Sequence, residues 1–167
     1  MNKKINIKTL VDQIEKITKE KIAKESVVSL DDYRKLKNLK NQKLNVLVIE
    51  DDETMRKALV KLLESDGYSV ISAADGTQLE KIFMKDSVDL ILLDIGLPWV
   101  NGLELTQVLK SHEDLKEIPI VLITGLSSEA DLNKGLALGA ETYIKKPFDV
   151  ETLKSTIRNL LNPQRAK

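Results

Sequence analysis

The sequence contains no cysteine and only one histidine among its 167 residues. Without cysteine, the chain can form no disulfide, no thiolate metal site and no cysteine nucleophile. A single histidine leaves little material for a zinc site built on imidazoles or for a Ser-His-Asp triad. His112 lies in a polar stretch, residues 110–114, which predicts a surface position. These absences exclude thiol and triad chemistry from the candidate functions.

Long hydrophobic runs are also missing. No stretch approaches the roughly 18 to 20 apolar residues that span a membrane, and the first residues are not followed by the apolar region of a signal peptide. We therefore expect a soluble, cytoplasmic protein with no membrane insertion. Hydrophobic residues still make up 42% of the chain, which is enough to bury a core. Since domains cluster at roughly 100 to 150 residues, the chain has room for one domain and an extension.

Charge is divided unevenly along the chain, although the formal net charge is zero. Residues 1–45 hold 12 Lys and Arg residues against 6 Asp and Glu residues, whereas residues 46–167 hold 14 against 20. This division predicts either a solvated basic arm or a segment that contacts an acidic surface, on its own domain or on a partner.

Residues 1–43 are predicted to form a basic, amphipathic helical extension that ends in a linker. A first helix is predicted over residues 7–24, and a second, shorter helix over residues 30–40. The first helix has apolar residues at helical spacing, namely Leu10, Val11, Ile14 and Ile17. An apolar stripe of this kind needs a partner surface.

From Leu44 onward, strand-like and helix-like patterns alternate five times, which predicts an α/β domain over residues 44–162 and a short tail over residues 163–167. The predicted strands cover residues 44–50, 68–73, 88–94, 118–124 and 140–145. The predicted helices cover residues 54–65, 76–85, 102–110, 128–138 and 150–161. Such a doubly wound parallel sheet carries helices on both faces and binds ligands at the carboxyl ends of its strands.

Polar residues stand at the carboxyl ends of four predicted strands. Glu50 and Asp51 end the first strand, Asp94 the third and Thr124 the fourth, and Lys146 follows the fifth. If the strands are parallel and adjacent, these side chains converge on one acidic pocket. Close carboxylates repel one another, and a divalent cation relieves the repulsion. Oxygen ligands without sulfur or imidazole suit Mg²⁺ or Mn²⁺, and Mg²⁺ favours phosphate as a further ligand.

A phosphoryl group is therefore the ligand that this pocket predicts. Lys146 supplies a positive charge and Thr124 a hydroxyl donor, and the Asp94 carboxylate can attack phosphorus to form an aspartyl phosphate. Each residue also has an ordinary interpretation when it is taken alone. Asp51 could favour a helix start, Thr124 could end a strand, and Lys146 could be solvated. Their joint spacing favours the site.

Several separate motifs occur in the order found in a known family. They are Glu50-Asp51, Asp94 followed by Leu97-Pro98 and Asn101-Gly102, Thr124-Gly125, and Tyr143 before Lys146-Pro147-Phe148. With these motifs, residues 44–162 resemble the receiver domain of bacterial response regulators, and they are similar in pattern to the single-domain chemotaxis regulator. The resemblance implies a flavodoxin-like sheet with the strand order 2-1-3-4-5.

The resemblance also implies roles for residues around the phosphoryl group. Asp94 is implied to be the phosphoacceptor, while Lys146 and Thr124 hold the phosphoryl group. Tyr143 is implied to be a rotating aromatic switch that acts together with Thr124. The peptide bond before Pro147 is implied to be cis, which X-Pro bonds tolerate at low cost.

A second set of implied roles concerns the metal. Asp51, Asp94 and the carbonyl of Gly96 are implied to bind Mg²⁺, and Glu50 is implied to assist through a water molecule. Asp52 is interpreted differently, because an acidic residue here favours the N-terminus of the first helix through the helix dipole.

Departures from the family pattern are modest. Glu50 replaces the commoner aspartate, Asn101 stands where aspartate is frequent, and Trp99 is an unusually large residue for its loop. Gly96 and Leu126 lie at positions that influence loss of the phosphoryl group in this family. Neither has a polar side chain to position an attacking water, so we expect a longer-lived phosphoform than that of the chemotaxis regulator.

The predicted function is that of a phosphorylation-activated response regulator of a two-component system. A histidine kinase or phosphotransfer protein donates the phosphoryl group, and the surface formed by the fourth helix, fifth strand and fifth helix contacts a downstream protein target. Since no catalytic or DNA-reading domain is recognised after Leu161, we expect no direct contact with nucleic acid and no enzyme activity beyond self-catalysed phosphorylation and dephosphorylation. The extension could form an autoinhibitory cap, mediate a homodimer, dock a partner or pack permanently on the domain.

Three rival functions receive less support. An aspartate-nucleophile phosphohydrolase of the haloacid dehalogenase type carries a second aspartate two residues after the nucleophile, where this chain has Gly96. A phosphorylation-independent interaction module would not need the intact pocket. DNA binding through the extension is disfavoured because acidic residues dilute its basic ones.

Overall fold

The computed structural model of the protein describes residues 43–125 and 129–161. Apart from Lys43, the predicted extension lies outside the described residues, and so do Leu126 and the predicted tail over residues 163–167. The division of the chain into extension, domain and tail therefore stays a prediction.

Five strands alternate with five helices along the described chain. The strands are β1 (Asn45–Ile49), β2 (Ser69–Ala73), β3 (Leu90–Asp94), β4 (Ile120–Thr124) and β5 (Thr142–Lys145). The helices are α1 (Glu53–Ser65), α2 (Thr77–Lys85), α3 (Gly102–Ser111), α4 (Glu129–Ala137) and α5 (Val150–Leu161). None of the helices in these ranges is both long and apolar enough to cross a membrane.

The strands form one parallel sheet in the order β2-β1-β3-β4-β5. The predicted order is thus confirmed. Leu47 of β1 pairs with Ile71 of β2 on one side and with Ile91 of β3 on the other. After β1 the chain adds β2 on one side of it and then adds β3 on the other side. The strand order reverses there, and the carboxyl ends of β1 and β3 adjoin at this switch point of the sheet.

Hydrophobic cores lie on both faces of the sheet, because successive side chains of a strand point to opposite faces. Leu47 and Ile49 of β1 pack in the core that includes residues of α2 and α3. Val46 and Val48 pack in the core that includes residues of α1 and α5. The central strand β3 is buried along its whole length. Helices on both faces were predicted, and this arrangement is confirmed.

Every strand begins one or two residues later than predicted. The predicted strands include buried residues that precede the paired segments, namely Leu44, Tyr68, Val88, Ile118 and Ala140. These side chains pack into the ends of the cores. The strand itself begins only where its residues pair with those of a neighbouring strand. An apolar run therefore predicts burial more accurately than it predicts pairing.

Side-chain caps set the starts of the two helices next to the switch point. The Asp52 carboxylate accepts a hydrogen bond of 2.7 Å from the Met55 amide and begins α1. The Asn101 side chain accepts one of 2.9 Å from the Leu103 amide and begins α3. Asp52 therefore stands at the N-terminus of α1, as predicted, and the structure shows that its side chain is the N-cap.

Candidate functional site

Three carboxylates converge at the carboxyl ends of β1 and β3. Glu50 and Asp51 follow β1, and Asp94 is the last residue of β3. One oxygen from each residue lies within 4.8 Å of the corresponding oxygens of the other two. Glu50 and Asp94 are buried, whereas Asp51 is exposed. The structure thus brings together the three acidic residues that the sequence singled out, in a pocket that reaches solvent at Asp51.

Lys146 enters this acidic pocket from the residues that follow β5. Its Nζ lies 2.9 Å from Glu50 Oε2 and 3.3 Å from Asp94 Oδ2. The peptide bond between Lys146 and Pro147 is cis, as the resemblance implied. The ammonium group therefore lies between two buried carboxylates and offsets part of their mutual repulsion. The close contact with Glu50 was not anticipated from the sequence.

Burial and neighbouring charges shift the pKa values of two groups in the pocket. Burial raises the pKa of Glu50, and the charge of Asp94 adds to this effect, while the hydrogen bond from Lys146 partly opposes it. Burial alone would lower the pKa of Lys146, but its hydrogen bond to Glu50 and the negative charges of Asp94 and Glu50 raise it. Lys146 is thus a permanent cation at neutral pH.

The ligand atoms of the pocket fit a hard divalent cation. Three carboxylates and one ammonium, when ionised, leave a formal charge of −2 for such a cation to neutralise. Mg²⁺ prefers a few carboxylates together with water and phosphate oxygens over a complete protein cage. The exposed position of Asp51 leaves room for those additional ligands. The composition of the pocket therefore suits Mg²⁺.

Thr124 ends β4 beside Asp94. In the register of these strands, Asp94 pairs with Ile123, the residue before Thr124. The Thr124 side chain is buried, and its carbonyl accepts a 2.7 Å hydrogen bond from the Lys146 amide. A Cβ atom added at Gly125 would meet no described atom within 4 Å. None of the described residues therefore fills the space beside Gly125, next to Thr124.

The loop after Asp94 explains the Asn101-Gly102 motif. The Gly96 amide donates a 3.3 Å hydrogen bond to Asp94 Oδ1. The Gly102 amide donates to the Ile95 carbonyl, and a Cβ at Gly102 would lie 2.6 Å from Ile95 Cα. Only glycine lets α3 begin this close to the backbone that follows Asp94. The sequence marked this motif, but the reason for the glycine is visible only in three dimensions.

Arg56 is a residue of the pocket that the sequence analysis missed. Its Nη1 donates to the carbonyls of Glu50 and Asp51, at 2.9 Å and 3.1 Å. Arg56 therefore fixes the backbone that carries two of the three carboxylates. One signal could have pointed to it. A cation in the first turn of a helix is disfavoured by the helix dipole, so such a residue calls for a specific partner.

Tyr143 lies where the resemblance placed the aromatic switch. It belongs to β5 and pairs in register with Leu122 of β4. Its side chain is half-buried and packs against the core on the α2 and α3 side of the sheet. Its rotation stays a prediction.

Comparison with known proteins decides the family. The family model described as the response regulator receiver domain matches residues 46–158. The chain belongs to the response regulator receiver family. The resemblance found in the sequence is thereby confirmed. Receiver domains are signalling domains that partner with histidine kinases.

Curated relatives of this receiver are longer proteins. The probable transcriptional regulator ycf27 of Porphyridium aerugineum is 40% identical over 120 residues, which are 72% of this chain and 49% of that protein. The aerobic respiration control protein ArcA of Escherichia coli (strain K12) is 35% identical over 118 residues, which are 71% of this chain and 48% of that protein. This chain thus spans about half the length of the curated relatives it matches.

Solved structures of receivers match this chain over almost their entire length. A putative response regulator from Chloroflexus aurantiacus J-10-fl aligns with a TM-score of 0.67 at 30% identity, over 72% of this chain and 98% of that one. The chemotaxis protein CheY4 of Vibrio cholerae aligns with a TM-score of 0.65 at 31% identity, over 71% of this chain and 98% of that one. These similarities confirm the predicted receiver fold.

Proposed function

We propose that this receiver accepts a phosphoryl group on Asp94 and signals by protein contact. The position of the Asp94 carboxylate carries the proposal. It stands at the end of a buried strand, within 4.8 Å of oxygens of Glu50 and Asp51. Its Oδ2 lies 3.3 Å from Lys146 Nζ. A nucleophile, a cation and a cluster of metal-ligating oxygens thus share one pocket.

The proposed step is transfer from a phosphohistidine of a histidine kinase or phosphotransfer protein. An Asp94 carboxylate oxygen attacks phosphorus and forms the new P–O bond, while the P–N bond breaks and its electron pair returns to the donor imidazole. Lys146 would hold one phosphoryl oxygen by charge, and the Thr124 hydroxyl would donate to another. Their positions beside Asp94 support these roles.

Asp51 and Asp94, together with the carbonyl of Gly96, would hold Mg²⁺, and Mn²⁺ suits the same oxygen ligands. When bound, the metal would supply neutralisation of the phosphoryl charge. Glu50 would act through a water molecule. Both of its carboxylate oxygens already have partners, since Oε2 accepts from Lys146 at 2.9 Å and Oε1 from the Asp52 amide at 3.2 Å.

The output would be a change of the surface formed by α4, β5 and α5. Phosphorylation adds about −1.5 to −2 charges, which would draw Thr124 toward the phosphoryl group and leave space for Tyr143. A shift in the ratio of the active to the inactive conformation from 1:99 to 99:1 needs about 5.5 kcal/mol of differential stabilisation. A downstream protein target that binds the active form would supply part of this energy. We place this signalling in the cytoplasm.

The output partner of this chain stays a prediction. The name of the Porphyridium relative refers to transcription, but it describes a protein about twice as long as the matched region. We propose a protein target and no direct contact with nucleic acid. Turnover of phosphate esters is not proposed, because Gly96 offers no acid two residues after Asp94.

The test of the proposal is labelling with acetyl phosphate and Mg²⁺, followed by intact mass. We expect a phosphoryl adduct on the wild type and none on Asp94→Asn. Asp52→Asn is a matched control, because it changes a neighbouring carboxylate and keeps an oxygen that can cap α1. This control should still be labelled. Equal adducts on the wild type and on Asp94→Asn would contradict the assignment.

The phosphoform should be long-lived, because Gly96 has no side chain to position an attacking water. A Cβ at this exposed position would lie 3.6 Å from Asp94 Oδ2, which is an ordinary van der Waals contact. We expect Gly96→Asn to shorten the lifetime by about tenfold, within the range that positioning groups contribute to catalysis. The measurement is decay of the adduct in Mg²⁺, followed by mass. Loss of the wild-type adduct within seconds would contradict the prediction.

A further inference from the structure

Trp99 is the only tryptophan of the chain, and it lies five residues after Asp94 in the loop before α3. Although this loop is at the surface, only 8% of the Trp99 residue is exposed. Its indole Nε1 donates a 3.2 Å hydrogen bond to the carbonyl of Ala74. Trp99 therefore joins the loop that follows β3 to the loop that follows β2.

Ala74 is held from its other side as well. Its amide donates a 2.6 Å hydrogen bond to Oε1 of Gln78. The carbonyl and the amide of Ala74 are thus both hydrogen-bonded to side chains, directly after β2 ends at Ala73. These two hydrogen bonds of Ala74, from Trp99 and to Gln78, together form a loop tether.

The loop tether adjoins a residue of the acidic pocket. The Glu50 amide donates a 3.2 Å hydrogen bond to the carbonyl of Ala73, the residue before Ala74. Glu50, Asp51 and Asp94 have oxygens within 4.8 Å of one another, and the part of their repulsion that Lys146 does not offset pushes the loops after β1 and β3 apart. A hydrogen bond that spans from the loop after β3 to the backbone beside Glu50 opposes this separation.

We propose that Trp99 is a positioning residue, which works with Gln78 to hold the acidic pocket in the geometry that binds Mg²⁺. The indole nitrogen donates to the Ala74 carbonyl rather than to a proposed ligand of the metal. It acts through the backbone of Ala73 and Ala74, and through them on Glu50. This inference rests on the proposed metal site, and it assigns a role to two side chains that carry no charge.

The test is the affinity of the full chain for Mg²⁺, measured by calorimetry without any phosphodonor. Trp99→Phe removes the indole donor and keeps an aromatic ring, and Gln78→Met removes the acceptor at an exposed position where folding is little affected. We expect each variant to bind Mg²⁺ about tenfold more weakly than the wild type, at the low end of the effects of residues that orient metal ligands.

Phe83→Leu is the matched control. Phe83 is buried in the same core as Trp99 but lies in the last turn of α2, whereas Gln78 lies in its first turn. The control loses a similar amount of packing and keeps the loop tether, so its Mg²⁺ affinity should equal that of the wild type.

Amide exchange provides a readout that does not depend on metal. In Trp99→Phe without Mg²⁺, the amides of Glu50 and Ala74 should exchange faster, while that of Leu92 in the buried strand β3 should be unchanged. Equal Mg²⁺ affinities of the wild type and both tether variants would contradict this inference alone. A wild type that binds no Mg²⁺ would contradict both this inference and the proposed metal site.

Discussion

Asp94 lies at the end of a strand whose five residues are all buried. A buried carboxylate is costly unless it is paired. Lys146 Nζ and the Gly96 amide, each 3.3 Å away, offset part of this cost. Both contacts are long for charge-assisted hydrogen bonds. Contacts of this length would leave the carboxylate available as the proposed nucleophile.

Gly102 is the residue whose substitution should distort this loop most. A Cβ there would lie 2.7 Å from the Asp94 carbonyl oxygen and 2.6 Å from Ile95 Cα, and neither backbone atom can move aside cheaply. We expect Gly102→Ala to lower the free energy of unfolding by about 1 to 3 kcal/mol, as overpacking does. Urea unfolding is the measurement. Gly125→Ala is the control, because a Cβ at this position would meet no described atom within 4 Å. Equal losses of unfolding free energy in the two variants would contradict the prediction.

The residues of the site were largely predictable from the sequence. Parallel strands bring their carboxyl ends to one edge of the sheet, so the convergence of Asp94 with Glu50 and Asp51 follows from topology alone. The sequence did not predict the partners of long side chains, such as the two carbonyls that Arg56 contacts or the Ala74 carbonyl that Trp99 contacts. They depend on the direction of long side chains across loops, which no spacing rule encodes.

At the scale of the elements, Asp52 begins α1 with a hydrogen bond of 2.7 Å from Met55. We expect Asp52→Ala to cost about 1 kcal/mol of stability, the usual effect of losing an N-cap, and Asp52→Asn to cost little. Urea unfolding measures both. Since Asp52 is a cap and not a proposed metal ligand, neither substitution should change the affinity for Mg²⁺. A large loss of affinity in Asp52→Asn would contradict this interpretation.

An ion pair joins the end of α1 to α5. Arg158 donates hydrogen bonds of 2.6 Å and 3.0 Å to the two carboxylate oxygens of Asp66, and Lys154 Nζ lies 3.4 Å from one of them. The hydrogen bond from Arg158 lowers the pKa of Asp66, against the effect of burial. Because the folded pKa is below the unfolded one, the pair stabilises the protein above about pH 4. This contribution is lost as the pH falls through the folded pKa.

Asp66→Asn should therefore be modestly less stable than the wild type at neutral pH, because solvent screens the half-exposed Arg158. The difference in stability between Asp66→Asn and the wild type should become smaller once the pH falls below about 4. Urea midpoints of both proteins at neutral and acidic pH measure it. Asp86→Asn, an exposed position at the end of α2, is the control and should show no such change. A difference that stays constant with pH would argue against the ion pair as its cause.

At the scale of the whole molecule, the alternation of patterns predicted the number of strands and the helices on both faces. Apolar runs marked burial correctly, but they placed the start of each strand too early, as Leu44 and Val88 illustrate. Pairing depends on where neighbouring strands overlap, which a single sequence does not contain. Strand order could be predicted only because the family motifs supplemented the pattern.

The predicted extension over residues 1–43 is the part of the chain whose role stays open. It is basic, whereas residues 46–167 are acidic. An autoinhibitory cap predicts that acetyl phosphate changes the amide exchange of residues 1–43 in the wild type and leaves it unchanged in Asp94→Asn. A permanently packed helix predicts no change in either protein. Identical exchange with and without phosphorylation would exclude a cap controlled by the phosphoryl group.

The central claim is that Asp94 forms an acyl phosphate, and the most direct measurement locates the modified residue. Borohydride reduces an aspartyl phosphate to homoserine, so a phosphorylated chain can be reduced, digested and sequenced by mass spectrometry. We predict homoserine at position 94, and none when acetyl phosphate is omitted. Homoserine at Asp51 or Asp52, with aspartate intact at position 94, would contradict the account.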